Sequence, residues 1–587
     1  MMFTYEPLRS NTSTRLIELL PPKHPNDRTI HARLRQCDLA NPPSYEAISY
    51  VWGNEKDVAS FYCNGRKLKI TPNLAAALRQ FRPDLGSRLL WVDKICIDQG
   101  NIRERNHQVG LMGQVYSSAS GVLIWLGERW YGAPEAFVWI KAFALTAGPK
   151  FSEFFDRLGG QTEEWSEIWG ALRKMRVSEP SAAAYKSLAR LLSHPWFYRA
   201  WTYQEFILAK EKTFYCGSYH VEGCLWSVGV SLFYLLDNAT HYLRLLSNKQ
   251  LRALSTFGGF LAIGKDSNHR DGTDLVKLLE SRRGAACTHQ VDIVYSLLGM
   301  AKPEDFVLPD YSLPVRHVFS RLAASHILRT QSLKILSCIS GKQARRKNTD
   351  LPSWVPDWTL EGQDSSMHRY EGTKFTTSGS SSLSVKICPN MEKLTVKGVY
   401  FDRIQLFDVP WISDDEEETY VPNDTELVYN DLFNLFRSLK VFDPDDPASM
   451  SAMCMDPLAI LTHARYQKSN AAESFFGRKR VEIFARLRAC TTEYGRFGMT
   501  SSNARQGDVI AIILGHDVPV VLRPTAVQDQ YRYVGLCCVR GHMEGEALEY
   551  ARRKANPGVE YDKRDRAWLE HLHEGPLPFD VQDFILV

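Results

Sequence analysis

Leu89-Leu90-Trp91-Val92-Asp93, continuing as Ile95-Cys96-Ile97-Asp98-Gln99, is followed by Gly100-Asn101 and, twenty residues on, by Gly121-Val122-Leu123-Ile124-Trp125-Leu126-Gly127. Neither apolar run alternates with polar residues, which marks strands buried on both faces. The first reads as one long strand whose far end carries two aspartates. Between the runs Asn101 can cap a helix, with Glu104 three residues on as in a capping box, and Val109, Met112, Tyr116 and Ala119 form its buried stripe. Strand, helix, strand in this order implies a right-handed parallel crossover and therefore an α/β sheet.

Upstream, Ala47-Ile48-Ser49-Tyr50-Val51-Trp52 is a further buried strand, stopped by Gly53-Asn54. Phe61-Tyr62-Cys63 and Lys67-Leu68-Lys69-Ile70 flank Asn64-Gly65, the pair that tolerates positive φ at both central positions of a type I′ turn, so a β-hairpin is expected. Thr71 is then an N-cap with Pro72 at the first helical position, followed by Leu74, Ala75, Ala77, Leu78 and Phe81 at helical spacing. The strands holding Ile48, Val92 and Ile124 should lie in one mainly parallel sheet with helices on its faces. Ligands of such sheets sit outside the carboxyl ends of the strands, where Trp52-Gly53, Asp93 to Gln99 and Gly127-Glu128 would converge. Residues 1–44 read as an N-terminal segment.

Downstream, an insertion-like stretch runs from Trp130 to about Pro180, and Tyr198 to Ala209 is helical in character. Residues 216–370 read as mostly helical, with breaks around His269 and at Leu351 to Trp358. After Ser378 to Ser382 the period becomes two, at Leu383, Val385, Ile387, Leu394, Val396 and Tyr400, and strand text returns at Val509 to Leu514, Val518 to Leu522 and Tyr531 to Val539. The simplest topology for 371–587 is one β module with a helical insertion near 425–500, in which strands from 383 to 404 pair with strands from 509 to 539.

Composition narrows the function classes. The chain has 587 residues, enough for several domains, and its 44% hydrophobic and 24% charged residues exclude disordered, collagenous and disulfide-scaffold classes. Lysine and arginine total 71 against 67 aspartates and glutamates, a net +4 with no dominant basic block, so nucleic acid is not the expected partner. The longest uncharged apolar stretches, Gly223 to Leu236 and Ala253 to Gly264, fall short of the ~18 residues of a spanning helix. Glu6 and Arg9 with no apolar core argue against a secretory leader, and twelve cysteines without a Cys-x-x-Cys pair read as buried thiols.

Several patterns fail on inspection. Gly259 to Lys265 has phosphate-loop spacing, but Asp266 replaces the metal-binding hydroxyl and no strand precedes it. Cys287-Thr288-His289 and His571-Leu572-His573 lack second ligand pairs, so no metal is expected. Two features remain. Asp93 and Asp98, with Trp52, Gly53 and Gln99 at the same edge, are loop caps or ligand groups. Glu205 on its helix has Trp201, Thr202, Leu208 and Ala209 as neighbours, none basic, so it lacks a helical ion pair. Either tertiary partners hold it, with Arg199 nearby in sequence, or it serves function; burial beside Trp201 would raise its pKa.

The series Tyr45-Glu46-Ala47-Ile48-Ser49-Tyr50-Val51-Trp52-Gly53, Leu90-Trp91-Val92-Asp93-Lys94-Ile95-Cys96-Ile97-Asp98-Gln99, Glu104, Gln108-Val109, Met112, Tyr116, Trp125-Leu126-Gly127 and Arg199-Ala200-Trp201-Thr202-Tyr203-Gln204-Glu205 resembles the HET (heterokaryon incompatibility) domain of filamentous fungi. The domain is expected over 45–215. Later motifs, among them Asp292-Ile293-Val294-Tyr295-Ser296-Leu297-Leu298-Gly299 and Pro309-Asp310-Tyr311-Ser312, also resemble long HET-domain proteins and carry no known chemistry. The resemblance implies a cytoplasmic domain with a flavodoxin-like or TIR-like sheet, linked to self/non-self recognition and cell death, with a protein partner or self-association. TIR domains, more distantly similar, use the glutamate of a Trp-Cys-x-x-Glu helix to cleave NAD⁺. Here Trp201 and Glu205 keep the spacing and Thr202 stands in the cysteine position. The resemblance thus makes Glu205 the candidate catalytic group, with Trp52, Gly53, Asp93, Asp98, Gln99 and Trp201 as candidate substrate-binding residues. For an enzyme, NAD⁺ is the implied substrate, no cofactor is needed, and the nicotinamide–ribose bond would break through an oxocarbenium-like state that a carboxylate stabilises. The alternative is a non-catalytic signalling or oligomerisation module that binds a regulator. Gly110 and Gly113 cost their helix about 1 kcal/mol each unless they permit close packing.

Overall fold

The computed structural model describes residues 3–24, 26–53, 59–142, 144–145, 182–230, 272–339, 348–360, 377–378, 381–407, 487–501, 503–539 and 581–587. Most of the insertion-like stretch, the Gly259 to Lys265 loop, Ala253 to Gly264, the His269 region, His571 to His573 and the expected helical block up to residue 486 lie outside these. The chain divides into two compact units, Met1–Leu313 and Pro314–Val587. No helix among the described residues is long and apolar enough to cross a membrane.

The first unit is built on a nine-stranded sheet. Its strands are β1 (Ser13–Leu19), β2 (Ile30–Asp38), β3 (Glu46–Tyr50), β4 (Ala59–Cys63), β5 (Arg66–Ile70), β6 (Arg88–Trp91), β7 (Gly121–Trp125), β8 (Lys212–Cys216) and β9 (Tyr219–Glu222), in the spatial order β5-β4-β2-β1-β6-β3-β7-β8-β9. The expected parallel crossovers are present: β3 is parallel to β6 and to β7, and β7 to β8. Only half of the eight neighbouring pairs are parallel, so the sheet is mixed rather than mainly parallel. The residues before 45 are one reason. β1 and β2 form an antiparallel pair, because the short connection between them can only return a strand antiparallel, and β1 also lies antiparallel against β6.

The long strand expected from Leu89 to Gln99 is also corrected. β6 ends at Trp91 and the chain turns into a helical turn α2 (Asp93–Cys96). Polar groups around Asp93 drive the change: Lys94 N donates to its Oδ1 (2.7 Å) and Gln99 Nε2 to its carbonyl (3.0 Å). The hairpin forms as expected, with Asn64 at φ 50° and Gly65 at φ 74° between β4 and β5.

Helix α1 (Pro72–Phe81) starts where its cap predicts, Thr71 Oγ1 accepting from Leu74 N, and buries Leu74, Ala75, Ala77, Leu78 and Phe81. Its Phe81 ring meets Trp125 and Tyr215 at 5.8 and 4.9 Å between centroids, fixing α1 on one face of the sheet. Helix α3 (Ile102–Ser118) is capped by Asn101 Oδ1, which accepts from Glu104 N (3.2 Å). The Glu104 carboxylate does not return to the cap. It accepts from Asp98 N (2.8 Å) and pairs with the buried Arg15 of β1. Numbered in chain order, the four parallel strands run 2-1-3-4 across the sheet, which puts the topological switch point at the carboxyl ends of β3 and β7.

The two glycines of α3 differ. A Cβ on Gly113 would lie 2.6 Å from the Cα of Gly299, in a 3₁₀ turn at Leu298–Met300, whereas one on Gly110 would meet Phe306 and Pro309 at an ordinary 3.8 Å. Gly113→Ala should therefore destabilise the unit by about 1–2 kcal/mol despite better helix propensity, because backbone faces backbone and neither can yield. Gly110→Ala should be neutral or gain up to ~1 kcal/mol. Denaturant midpoints of the two variants check this, and a stabilised Gly113→Ala chain would contradict the close contact.

After β7 come α4 (Ala182–Leu192), a 3₁₀ turn at Pro195–Tyr198, α5 (Thr202–Ile207), α6 (Leu275–Ser281) and α7 (Asp292–Tyr295). The second unit opens with α8 (Val315–Thr330) and is otherwise a β structure: β10 (Val385–Ile387), β11 (Leu394–Phe407), β12 (Leu487–Thr492), β13 (Phe497–Ser501), β14 (Val509–Ile513), β15 (Val520–Pro524), β16 (Gln530–Val539) and β17 (Val581–Leu586). β11 pairs antiparallel with β14, from Gly398↔Ile513 to Arg403↔Val509, as the period-two text predicts. Residues 487–501 belong to this sheet, which corrects the end of the expected helical insertion. The circuit β11-β12-β13-β16-β15-β14 closes on itself through the β11–β14 ladder. Val399, Phe401, Ile404, Ile510, Ile512, Val521, Val534 and Val539 are part of one buried cluster, and β17 covers the stretch of β11 from Leu394 to Val399 that the circuit leaves open on that side.

Candidate functional site

Ser49 is the one aliphatic hydroxyl in the buried text of β3, and its position dictates the site. Its Oγ donates to the Glu205 carboxylate and accepts from Trp196 Nε1 (2.7 Å). Glu205 comes from α5, a six-residue helix set by the turn before it: Thr202 Oγ1 donates to the carbonyls of Trp196 (2.8 Å) and Arg199 (2.9 Å). The Trp196 ring fills the space beneath, against Phe197, Phe206 and Phe214. Glu205 is therefore buried, with 6% of its surface exposed, near the end of β3.

At the same strand end Trp52 Nε1 donates to Asp93 Oδ2 (2.6 Å), and the Lys94 ammonium lies 4.3 Å over the Trp52 ring. Arg199 Nη1 donates to the Tyr50 carbonyl (2.8 Å), and its charge acts on Asp93 and on Glu205 alike. Asn73, at the start of α1, ties the edge together, donating to the Val51 carbonyl (2.6 Å) and accepting from Trp125 Nε1 (3.0 Å). Gly53 beside it sits at φ +79°, a conformation that an L side chain rarely adopts.

Burial pushes the Glu205 carboxyl up to about 7, with the Asp93 charge adding to the rise, while the Ser49 hydroxyl, Arg199 and Tyr116 oppose it. Asp93 is raised as well, again by burial first, against Arg199 and the Trp52 indole. The Tyr50 phenol is pushed well above its usual value by burial and by Asp93. Its hydroxyl lies beside Asp93, outside ordinary hydrogen-bond geometry. A carboxyl that titrates near neutrality next to a second carboxylate and a guanidinium can hold or release a proton at working pH, and can stabilise a developing positive charge.

The structure thus brings Trp52 onto Asp93, sets Asp93 and Glu205 under the influence of Arg199, and places Gln99 on the Asp93 carbonyl, with Gly53 following Trp52 at the strand end. It does not bring Asp98 in: Asp98 Oδ1 accepts from Gly100 N (3.2 Å), an ordinary loop cap. The Trp201 indole acts on Asp292. Ser49, Tyr50, Tyr116, Trp196 and Arg199 were not among the expected site residues. Ser49 was the legible one, as a hydroxyl amid Ile48, Tyr50 and Val51.

The raised carboxyl sets a pH dependence. Folded Glu205 keeps its proton between its ordinary 4.5 and about 7, where the unfolded chain has lost it, so its contribution is complete below 4.5 and is lost as pH rises to 7. Relative to Glu205→Gln, the wild type should lose about 3 kcal/mol across that window. Urea denaturation of both chains at several pH values checks this; a constant difference would show that the carboxyl is solvated.

Comparison with known sequences places the chain among related proteins. Residues 45–205 match the heterokaryon incompatibility protein (HET) family, and 409–556 match the Het-6 beta-barrel domain, which includes β12 to β16. Heterokaryon incompatibility protein 6, OR allele, of Neurospora crassa is 31% identical over 414 residues, covering 61% of this chain and 60% of that protein. The chain thus spans less than two thirds of this relative's length. No solved structure matches. With that family's sequence pattern running from Tyr45 at the sheet to Glu205 at the buried site, residues 45–205 are a heterokaryon incompatibility (HET) domain.

Proposed function

We propose that the domain hydrolyses the nicotinamide–ribose bond of NAD⁺, with Glu205 as the catalytic carboxylate, and that the protein acts in the cytoplasm in fungal incompatibility and the cell death that follows it. The observation that carries this reading is the Glu205 carboxyl, raised to about 7 beside Asp93 and Arg199 at the carboxyl end of a central parallel strand. In such a reaction the C1′–N bond breaks, nicotinamide leaves with the bonding pair, and water adds to the ribosyl cation while its proton passes to a carboxylate. A neighbouring anion stabilises that cation most in a water-poor setting. The TIR-like spacing from Trp201 to Glu205 supports the assignment. Thr202 in the cysteine position anchors the turn through its hydroxyl, which a thiol would do weakly. The name of the Neurospora relative supports a place in incompatibility.

A second reading is favoured by one observation: the Glu205 carboxylate already accepts from Ser49 and is almost wholly buried. There the carboxylate is structural, and the domain acts by binding a regulator or by self-association. Induced expression with NAD⁺ followed over time separates the two. NAD⁺ loss that precedes death supports the hydrolase; death at constant NAD⁺ supports the binding module.

A further inference from the structure

Helix α5 has six residues, too few to hold its place unaided, since isolated helices shorter than ~12–15 residues are marginal in water. Besides Ser49 and Trp196, and the Arg282 and Lys212 cations over its Tyr203 and Phe206 rings, it is anchored by residues 292–311, beyond the stretch that matches the HET family. Asp292, at the start of α7, is buried, and its carboxylate accepts from the Tyr311 hydroxyl (2.6 Å) and is stabilised by the Trp201 indole. Tyr311 is fixed in turn by the Arg105 guanidinium, 4.0 Å above its ring, and by edge contacts with His289 and Tyr295. Seven residues after Asp292, Gly299 N donates to Gln204 Oε1 (3.3 Å). The same glycine touches Gly113 of α3 through bare backbone, and a Cβ there would also come within 2.8 Å of Gln204 Oε1.

We infer that Asp292 and Gly299 are positioning residues for Glu205: they fix Trp201 and Gln204, four residues and one residue before it, and so set how deeply its carboxylate sits against Ser49. The Asp292 to Gly299 and Pro309 to Ser312 motifs thereby acquire a role in the site. Glu205 N donates to the Trp201 carbonyl (3.4 Å), so a shift of Trp201 is passed along one helical turn. This inference rests on reading Glu205 as the functional carboxylate, but not on which substrate it meets.

The test reads the Glu205 titration rather than turnover. Stability is measured against pH for the full-length chain and for Glu205→Gln, then for the same pair carrying Asp292→Asn, whose amide can accept from only one side. The difference within each pair isolates Glu205, because the groups facing it (Asp93, Arg199, Tyr116 and Tyr50) and those facing Asp292 (His289 and Tyr311) are common to both members. The midpoint of that difference is expected between the ordinary 4.5 and about 7 in the original pair, and in the Asp292→Asn pair it should fall toward 4.5 while the size of the change shrinks. A defect confined to folding would lower stability alike at every pH and leave the midpoint in place, so an unmoved midpoint overturns the inference. If Asp292→Asn does not fold, Tyr311→Phe, which keeps the carboxylate and removes one donor, should move the midpoint in the same direction by less, and no movement there overturns it equally. Failure of the NAD⁺ reading would appear separately, as constant NAD⁺ in the original chain.

Discussion

Expression of a Glu205→Gln chain is expected to leave cellular NAD⁺ unchanged under conditions where the original chain depletes it, and to abolish the accompanying toxicity. Glutamine keeps the size of the side chain, and its amide oxygen can still accept from Ser49, so the sheet and α5 should stand. What disappears is the charge that would stabilise the ribosyl cation and the group that would receive the proton from water. Losing such a group typically costs about 10²–10⁴ in rate. NAD⁺ cleavage by the purified variant, with its fold verified by circular dichroism, gives the measurement. Undiminished cleavage by that protein would remove Glu205 from the chemistry, and the half-buried Asp93, held by Trp52, would become the group to substitute next.

The largest loss of stability is expected in the second unit, at Asp402→Ala. Asp402 lies on β11 at a break in register, its side chain is wholly buried, and it pairs with Arg496, whose guanidinium rests over the Phe401 and Tyr494 rings. Its other oxygen accepts from Arg403 N (2.8 Å). Removing the carboxylate strands a buried cation, which typically costs about 3–5 kcal/mol, whereas replacing both partners by apolar residues is often close to neutral. Asp402→Ala should therefore unfold the unit at markedly lower urea, and Asp402→Leu with Arg496→Met should recover most of the loss. A drop of less than about 1 kcal/mol in the single variant would place the pair in water.

Local chemistry was legible wherever a residue and its partner were close in sequence. Thr71 and Asn101 capped their helices, Asn64-Gly65 made its turn, and the stripe at Val109, Met112 and Tyr116 went inward. Illegible features depended on distant partners. Ser13 to Leu19 is a central, buried strand although it contains Arg15, because that guanidinium finds Glu104, eighty-nine residues later. The strands at 487–501 were hidden for a similar reason. Gly495 at φ +72° marked the hairpin, but their burial comes from β11 and β16, which lie far off in the chain. At the site, Glu205 stood out by its lack of a helical ion pair. The donors that hold it, from β3 and the turn at Trp196, and the Asp292 brace, are tertiary and left no spacing to read.

The strand β17 has a consequence for synthesis. Half of one edge of β11, from Leu394 to Val399, is covered by residues 581–586, which follow the end of β11 by 581 − 407 = 174 residues. At about 5–20 residues per second a ribosome takes roughly 10–40 s to deliver that cover. Throughout that interval the nascent chain presents an uncapped hydrophobic edge with Leu394 and Val396 on it, while the first unit, complete by residue 313, is free to fold. A chaperone that binds extended apolar segments would find its substrate there, and slow codons placed within residues 408–580 would lengthen the exposure and raise the aggregated fraction.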